Sequence, residues 1–111
     1  MQLVGTSART QMKLADLAHV VRSKNAGPTQ LTLDVFFRDQ TGWRRAAESE
    51  ALAPPAVATL YGLEAADVQR FLMPEILAIK FSLPRRVVAG SPGDGDVYGA
   101  QQHAPLLGVE V

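Results

Sequence analysis

The arrangement of apolar and polar positions along the chain predicts four short strands. Residues 30–37 and 76–84 alternate along most of their length, as expected of strands with one buried face. Residues 68–74 and 106–111 are rich in apolar residues and predict two further strands. The side chains predicted to face the core from the first two strands are Leu31, Leu33, Val35, Phe37, Leu77, Ile79, Phe81 and Leu83.

The segment before these strands, residues 13–23, has an ambiguous period. Leu14, Leu17 and Val21 recur at helical spacing, whereas Ala15, Leu17 and Val21 also fall on alternate positions, as in a strand. The pattern alone leaves both interpretations open.

Two helices are predicted between the strands. Residues 42–52 are rich in helix-forming side chains, and Thr41 is a candidate N-cap. After two prolines, residues 56–63 form a second short helix that ends near Gly62. Strands outnumber helices, and strands that are neighbours in sequence can pair. The predicted fold is therefore an α+β sandwich with a mostly antiparallel sheet and helices on one face.

Length and composition restrict the class of protein. A chain of 111 residues with 47% apolar and 20% charged residues suits one domain, over 12–111, after a loose tail at 1–11. The absence of cysteine excludes disulfides, cysteine-bound zinc and thiol catalysis. The sequence shows no signal peptide and no apolar run that could span a membrane, so a cytoplasmic protein is expected.

The balance of charge excludes one large class of partner. Lys+Arg and Asp+Glu number 11 each, whereas a nucleic-acid-binding domain carries a clustered basic excess. The basic pairs Arg44–Arg45 and Arg85–Arg86 are interpreted as solvated surface. We therefore expect neither nucleic acid nor membrane as a partner.

A polar, glycine-rich segment spans residues 91–105. As a structural element it is a turn followed by a helix over residues 97–104, with Asp96 as N-cap and Pro105 as the stop. Asp94 and Asp96 are also candidate ligands of Mg²⁺ or Ca²⁺, although two aspartates around a glycine are common in loops.

The same segment suggests a binding site because a turn does not need its side chains. In a helix, Tyr98, Gln101 and Gln102 share one side, and His103 lies a quarter-turn away. These groups can exchange hydrogen bonds with a carboxylate or carbonyl. Tyr98 and His103 are the candidate proton-transfer residues, and the two glutamines are candidate substrate ligands.

A second polar segment, residues 22–27, leaves a predicted strand and enters a glycine turn. Arg22 and Lys24 are candidates for binding a phosphate or carboxylate, and Ser23 and Asn25 for orienting it. A solvated hairpin loop is the alternative interpretation. The spacing of a Walker loop is missing.

Other catalytic signatures are absent. The sequence contains two histidines and no H-E-x-x-H, and Ser91 does not stand in a G-x-S-x-G elbow. His19 is interpreted as a strand or core histidine, and Trp43 and Tyr61 as packing residues.

Long unusual stretches carry a resemblance to a known family. The stretches "KLADLAHVVRSKNAGP", "LTLDVFF", "LAIKFSLPR" and "GSPGDGDVYGAQQHAPLL" resemble uncharacterised bacterial proteins of roughly 100 residues that are related to the acyclic terpene utilisation protein A family. The resemblance covers residues 12–111. The chain is similar, more distantly, to the small C-terminal domain of the acyclic terpene utilisation protein. Arg22–Ser23 of this chain matches an Arg-Ser loop in that domain. The Gly-Asp-Lys-Gly part of that loop and a later Lys are replaced in this chain.

The resemblance implies a ferredoxin-like domain in which residues 12–22 form a strand. It also implies a small subunit that docks on a larger acyclic-terpene-utilisation-like protein and completes a site for an acidic or acyl-CoA metabolite. The alternatives are a stand-alone homo-oligomeric lyase or hydratase with its site between protomers, and a non-catalytic adaptor. Whether the chain is an enzyme, and which cofactor it uses, stays open at this stage.

Overall fold

The computed structural model describes residues 12–85 and 102–111. The predicted tail at 1–11, the metal candidates Asp94 and Asp96, and the site candidates Tyr98 and Gln101 lie outside the described residues. The described elements, in chain order, are α1 (Leu14–Leu17), β1 (Ala18–Asn25), β2 (Gln30–Phe37), α2 (Gln40–Glu48), α3 (Pro54–Tyr61), β3 (Gln69–Met73), β4 (Ala78–Pro84) and α4 (Ala104–Leu107), with short 3₁₀ turns at Glu50–Leu52, Ala65–Asp67 and Pro74–Ile76.

The four strands form one antiparallel sheet in the order β1-β2-β4-β3. The helices cover one face, which confirms the predicted α+β sandwich and is consistent with a ferredoxin-like fold. The predicted core side chains of β2 and β4 occupy this face together with residues of all four helices. The largest fully buried side chains are Phe81, Leu14, Leu31, Leu33, Leu52, Ile79, Leu83, Leu106, Val35 and Val57.

Residues 12–22 are not one strand, contrary to what the resemblance implied. They contain the single helical turn α1 and the first part of β1. The helical spacing therefore applies before Ala18 and the strand alternation after it. Asp16 Oδ2 accepts the backbone N–H of Lys13 at 3.4 Å at the start of the turn, and Ala18 is already extended. The register of β1 shifts between Ala18 and Val20, so the exposed His19 is the extra residue of a bulge.

The predicted last strand over residues 106–111 is wrong. Pro105 lies within the first turn of α4 and does not stop a helix, because proline is well tolerated at helix starts. The segment after α4 makes one isolated antiparallel bridge, between Lys13 and Glu110, and does not join the sheet. Arg45 Nε and Nη2 donate to the backbone carbonyl of Val111 at 3.1 and 2.9 Å, so this half-buried arginine is not the solvated surface residue that was expected.

The middle helices differ from prediction mainly at their ends. Asp39, not Thr41, caps α2 by accepting the Gly42 N–H at 2.8 Å. The predicted single helix over 42–52 is split into α2 and a 3₁₀ turn. Gly62 ends α3 in the left-handed conformation, as predicted.

Candidate functional site

Polar side chains collect at the end of the sheet where β1 and β4 finish and β2 begins. Both β1 and β4 run antiparallel to β2, so their last residues lie at the same end. Asn25 of β1 and Arg85, which follows β4, meet there: Arg85 Nη1 donates to Asn25 Oδ1 at 2.9 Å. The Arg85 backbone N–H also donates to the Thr29 carbonyl at 2.8 Å, which holds the arginine against the start of β2.

Arg85 is buried, with 6% of its surface exposed. It therefore differs from the solvated residue predicted from the Arg85–Arg86 pair. A buried guanidinium is costly unless polar groups surround it, and Asn25 is one such group. At this end of the sheet, buried polar groups therefore replace the apolar side chains of the core.

Ser23 and His103 join this cluster from opposite ends of the chain. Ser23 Oγ accepts the backbone N–H of His103 at 3.0 Å and lies 3.3 Å from the ring atom Nδ1. The Ser23 hydroxyl can donate to Nδ1 or accept from it, according to the tautomer of the ring, while it accepts the backbone N–H. In either tautomer Nε2 is the ring nitrogen left for other groups.

The segment that contains Gln102 and His103 also contacts a residue of the helix layer. The hydroxyl of Tyr61, at the end of α3, donates to the carbonyl of Gln102 at 2.7 Å. Burial raises the pKa of the Tyr61 phenol well above its ordinary value of 10.0, so the group stays a hydrogen-bond donor. Tyr61 also packs against the core, as predicted, but its hydroxyl contact was not foreseen. Gln102 takes part in this contact through its backbone.

We refer to these residues as the strand-end cluster. The position of the strand-end cluster at this end of the sheet follows from the alternation of β1. Ser23 and Asn25 occupy core-facing positions of β1, opposite Leu33 and Leu31. At these two positions the inward face changes from apolar to polar. The strand-end cluster consists of Ser23, Asn25, Tyr61, Arg85, Gln102 and His103.

The two predicted cations lie elsewhere. Arg22 and Lys24 alternate with Ser23 and Asn25, so they point to the face of the sheet that the helices leave uncovered. Arg22 Nε is 3.3 Å from Asp34 Oδ2, and its guanidinium carbon is 5.1 Å from the centre of the Phe36 ring. The structure thus brings together four of the six described candidates and separates these two from them.

The described residues contain no evident metal centre. Across residues 12–85 and 102–111, no three His, Asp or Glu side chains lie close enough to hold an ion. No helix of this part of the chain is long and apolar enough to cross a membrane.

Sequence reasoning missed Arg85 and the role of Tyr61. The signal for Arg85 was its position directly after a predicted strand, but its burial depends on the direction of β1 relative to β4. Nothing in the sequence near Tyr61 indicates a contact with Gln102, which lies 41 positions away.

The fold and the cluster define a small α+β sandwich whose one-layer sheet ends in a polar, partly buried group of side chains. The chain belongs to the family of the domain of unknown function DUF4387, whose profile matches residues 14–110. No curated protein matches the chain. No solved structure matches it either.

Proposed function

We propose that the chain is a cytoplasmic small subunit that docks on a larger acyclic-terpene-utilisation-like protein. Together the two would form a site for an acidic or acyl-CoA metabolite. The terpene-utilisation part of this proposal rests on the resemblance of the two polar motifs, "RSKNAGP" and "GDGDVYGAQQHAP". The strand-end cluster supports the location of the site.

One observation carries the proposal. Ser23 and His103 come from the two polar segments and are 80 positions apart in the chain, yet they share two hydrogen-bond contacts. The meeting of these segments is the geometry that a single composite site needs.

Each candidate has a chemical role in the proposal. His103 transfers a proton through Nε2, and Tyr98 is the second proton-transfer candidate. Ser23 positions the imidazole through Nδ1. Orientation of the substrate falls to Asn25, Gln101 and Gln102, and metal binding or helix capping to Asp94 and Asp96. Arg22 and Lys24, the candidates for anion binding, would bind their anion from the other face of the sheet.

The cluster also explains why a shared site is favoured over a self-sufficient one. An imidazole is the side chain suited to exchange protons near neutral pH, and the strand-end cluster holds one, His103. Tyr98 is the other proton-transfer candidate of this chain, and in the subunit proposal the partner protein supplies the remaining acid and base groups. In the alternative proposal, a homo-oligomeric lyase or hydratase, they come from a second protomer, and a non-catalytic adaptor is the third proposal.

Capture of the tagged chain from its native cells distinguishes these proposals. The partner is identified by mass spectrometry, and the assembly is sized by light scattering. A stoichiometric larger protein of the terpene-utilisation type supports the subunit proposal. A homo-oligomer without a partner contradicts it and favours the lyase or hydratase, which is then assayed on hydroxy acids and acyl-CoA esters.

The site is tested in the purified complex with the same two substrate classes. His103→Ala is expected to reduce turnover by about 100-fold or more, in the range of a lost acid–base group. His19→Ala is the matched control, because His19 is an exposed strand residue. If His103→Ala and Arg22→Ala both left the complex fully active, the shared site would be wrong.

A further inference from the structure

The face of the sheet opposite the helices mixes large apolar side chains with polar and charged ones, and its positions Thr32, Asp34 and Ala78 are buried. Antiparallel sheets commonly expose one face, and that face is then polar. In this chain none of its apolar side chains belongs to the core cluster that the helices complete. We call this surface the open face. Its strand positions are Val20, Arg22, Lys24, Thr32, Asp34, Phe36, Gln69, Phe71, Met73, Ala78, Lys80 and Ser82.

Large apolar groups are exposed on this face. Val20 is 38% exposed and Phe71 is 44% exposed, at opposite edges of the sheet. Aromatic side chains that are accessible in this way are typical anchors of protein interfaces. The open face therefore offers exposed apolar side chains among polar ones, an arrangement that protein interfaces use.

The charges on the open face determine which occupant fits. Three cations, Arg22, Lys24 and Lys80, stand on it with one carboxylate, Asp34. Asp34 is 7% exposed and already pairs with Arg22, so it offers nothing to a cation from outside. Two copies of the open face would bring like charges together, whereas a partner with carboxylates around an apolar centre would match it.

From this arrangement we infer that the open face is the docking surface for a larger protein with a complementary acidic and apolar surface. The inference rests on the proposed function and adds the surface that makes the contact. Arg22 and Lys24 then face the partner, while Ser23 and Asn25 point from the same strand into the strand-end cluster. Docking on one face would place the partner beside the cluster at the end of β1.

The test uses two pairs of variants and one probe, the purified full-length acyclic-terpene-utilisation-like protein of the same organism. Phe71→Ser removes an anchor from the open face, and Leu72→Ser is its matched control, because Leu72 is the next residue, is also 44% exposed and points to the other face. Lys24→Glu reverses a charge on the open face, and Arg44→Glu does the same on the exposed side of α2.

Titration calorimetry is expected to show binding by the wild-type chain that weakens with salt. Phe71→Ser and Lys24→Glu should each weaken binding by about tenfold or more, and the two controls by less than about threefold. Circular dichroism verifies that all four variants are folded.

The contrary outcomes are distinct. Wild-type affinity in both Phe71→Ser and Lys24→Glu overturns the docking surface and leaves the proposed function standing. Absence of binding by the wild-type chain overturns the proposed function and the docking surface with it. A homodimer that Phe71→Ser dissociates shows that the open face joins two copies, which contradicts the acidic partner.

Discussion

The two faces of the sheet carry residues of similar type in different environments. Phe81 of β4 is fully buried on the helix-covered face, whereas Phe71, on the adjacent strand β3, is 44% exposed on the open face. Arg85 is buried at the end of β4, whereas the side chain of Arg22 is 58% exposed on the open face. The comparison separates residues that stabilise the fold from residues that are available to a partner.

The largest expected effect is the loss of the buried phenylalanine. Phe81→Ala should lower the free energy of unfolding by about 3–5 kcal/mol, because it removes a large side chain and leaves a cavity. Phe71→Ala should lower the free energy of unfolding by less than about 1 kcal/mol, because the Phe71 ring is already partly exposed to solvent. Urea denaturation of both variants measures the difference. Equal losses would mean that the open face is packed like a core.

The buried arginine is expected to rank second. Arg85→Ala should lower the free energy of unfolding by about 2–3 kcal/mol, because it leaves Asn25 Oδ1 without this donor and removes the packed stem of the side chain. Arg44→Ala, on the exposed side of α2, should change it by less than about 0.5 kcal/mol. The same urea experiment applies. A small effect at Arg85 would show that its burial contributes little to the fold.

Ser23 and Ser82 provide a smaller contrast between the two faces. Ser23→Ala should lower the free energy of unfolding by about 1–2 kcal/mol, because the backbone N–H of His103 loses the Ser23 hydroxyl as its acceptor. Ser82→Ala, on the open face, should cost less than about 0.5 kcal/mol. NMR of the His103 ring nitrogens should show a change of tautomer population in Ser23→Ala alone. An unchanged ring spectrum would contradict the role of Ser23 in orienting the imidazole.

The smallest effect is expected at Tyr61 and depends on pH. Tyr61→Phe should cost about 1 kcal/mol at neutral pH through the lost contact to the Gln102 carbonyl. Burial raises the pKa of the folded-state phenol, so the unfolded chain loses this proton first as the pH rises above 10.0. The stabilising contribution is therefore complete below pH 10.0 and declines above it.

Denaturation curves at several pH values test this prediction. The stability gap between the wild-type chain and Tyr61→Phe should narrow above pH 10.0. The phenylalanine variant is itself the control for every other effect of pH on the chain. A gap that stays constant through this range would show that the Tyr61 hydroxyl is accessible to water in the folded chain.

Much of the fold was predictable because its signals are local. The alternation of Leu31, Leu33 and Val35 predicts both the strand and its buried face, and the structure confirms them. The end of α3 at Gly62 was predictable for the same reason, because a left-handed C-cap favours glycine. The error at residues 106–111 arose where a short apolar run carries no period and where tertiary contacts decide the outcome.

The candidate site was predictable only in part. The two polar segments were identified from residue types, and the structure brings Ser23 of one into contact with His103 of the other. Their composition did not indicate that Arg22 and Lys24 would lie on the opposite side of the sheet from Ser23. That separation follows from strand alternation once the segment is known to remain in β1 as far as Asn25.

By itself the sequence determined the class of fold, the buried faces of β2 and β4 and the two segments that contain unusual polar groups. Each of these depends on spacing over a few residues, where propensity and amphipathic pattern act directly. Only the tertiary structure decided that Arg85 is buried, that Tyr61 contacts Gln102 and that the strand face turned away from the helices carries a surplus of cations. Those features depend on strand order and on contacts between distant residues, which the packing of the whole chain sets.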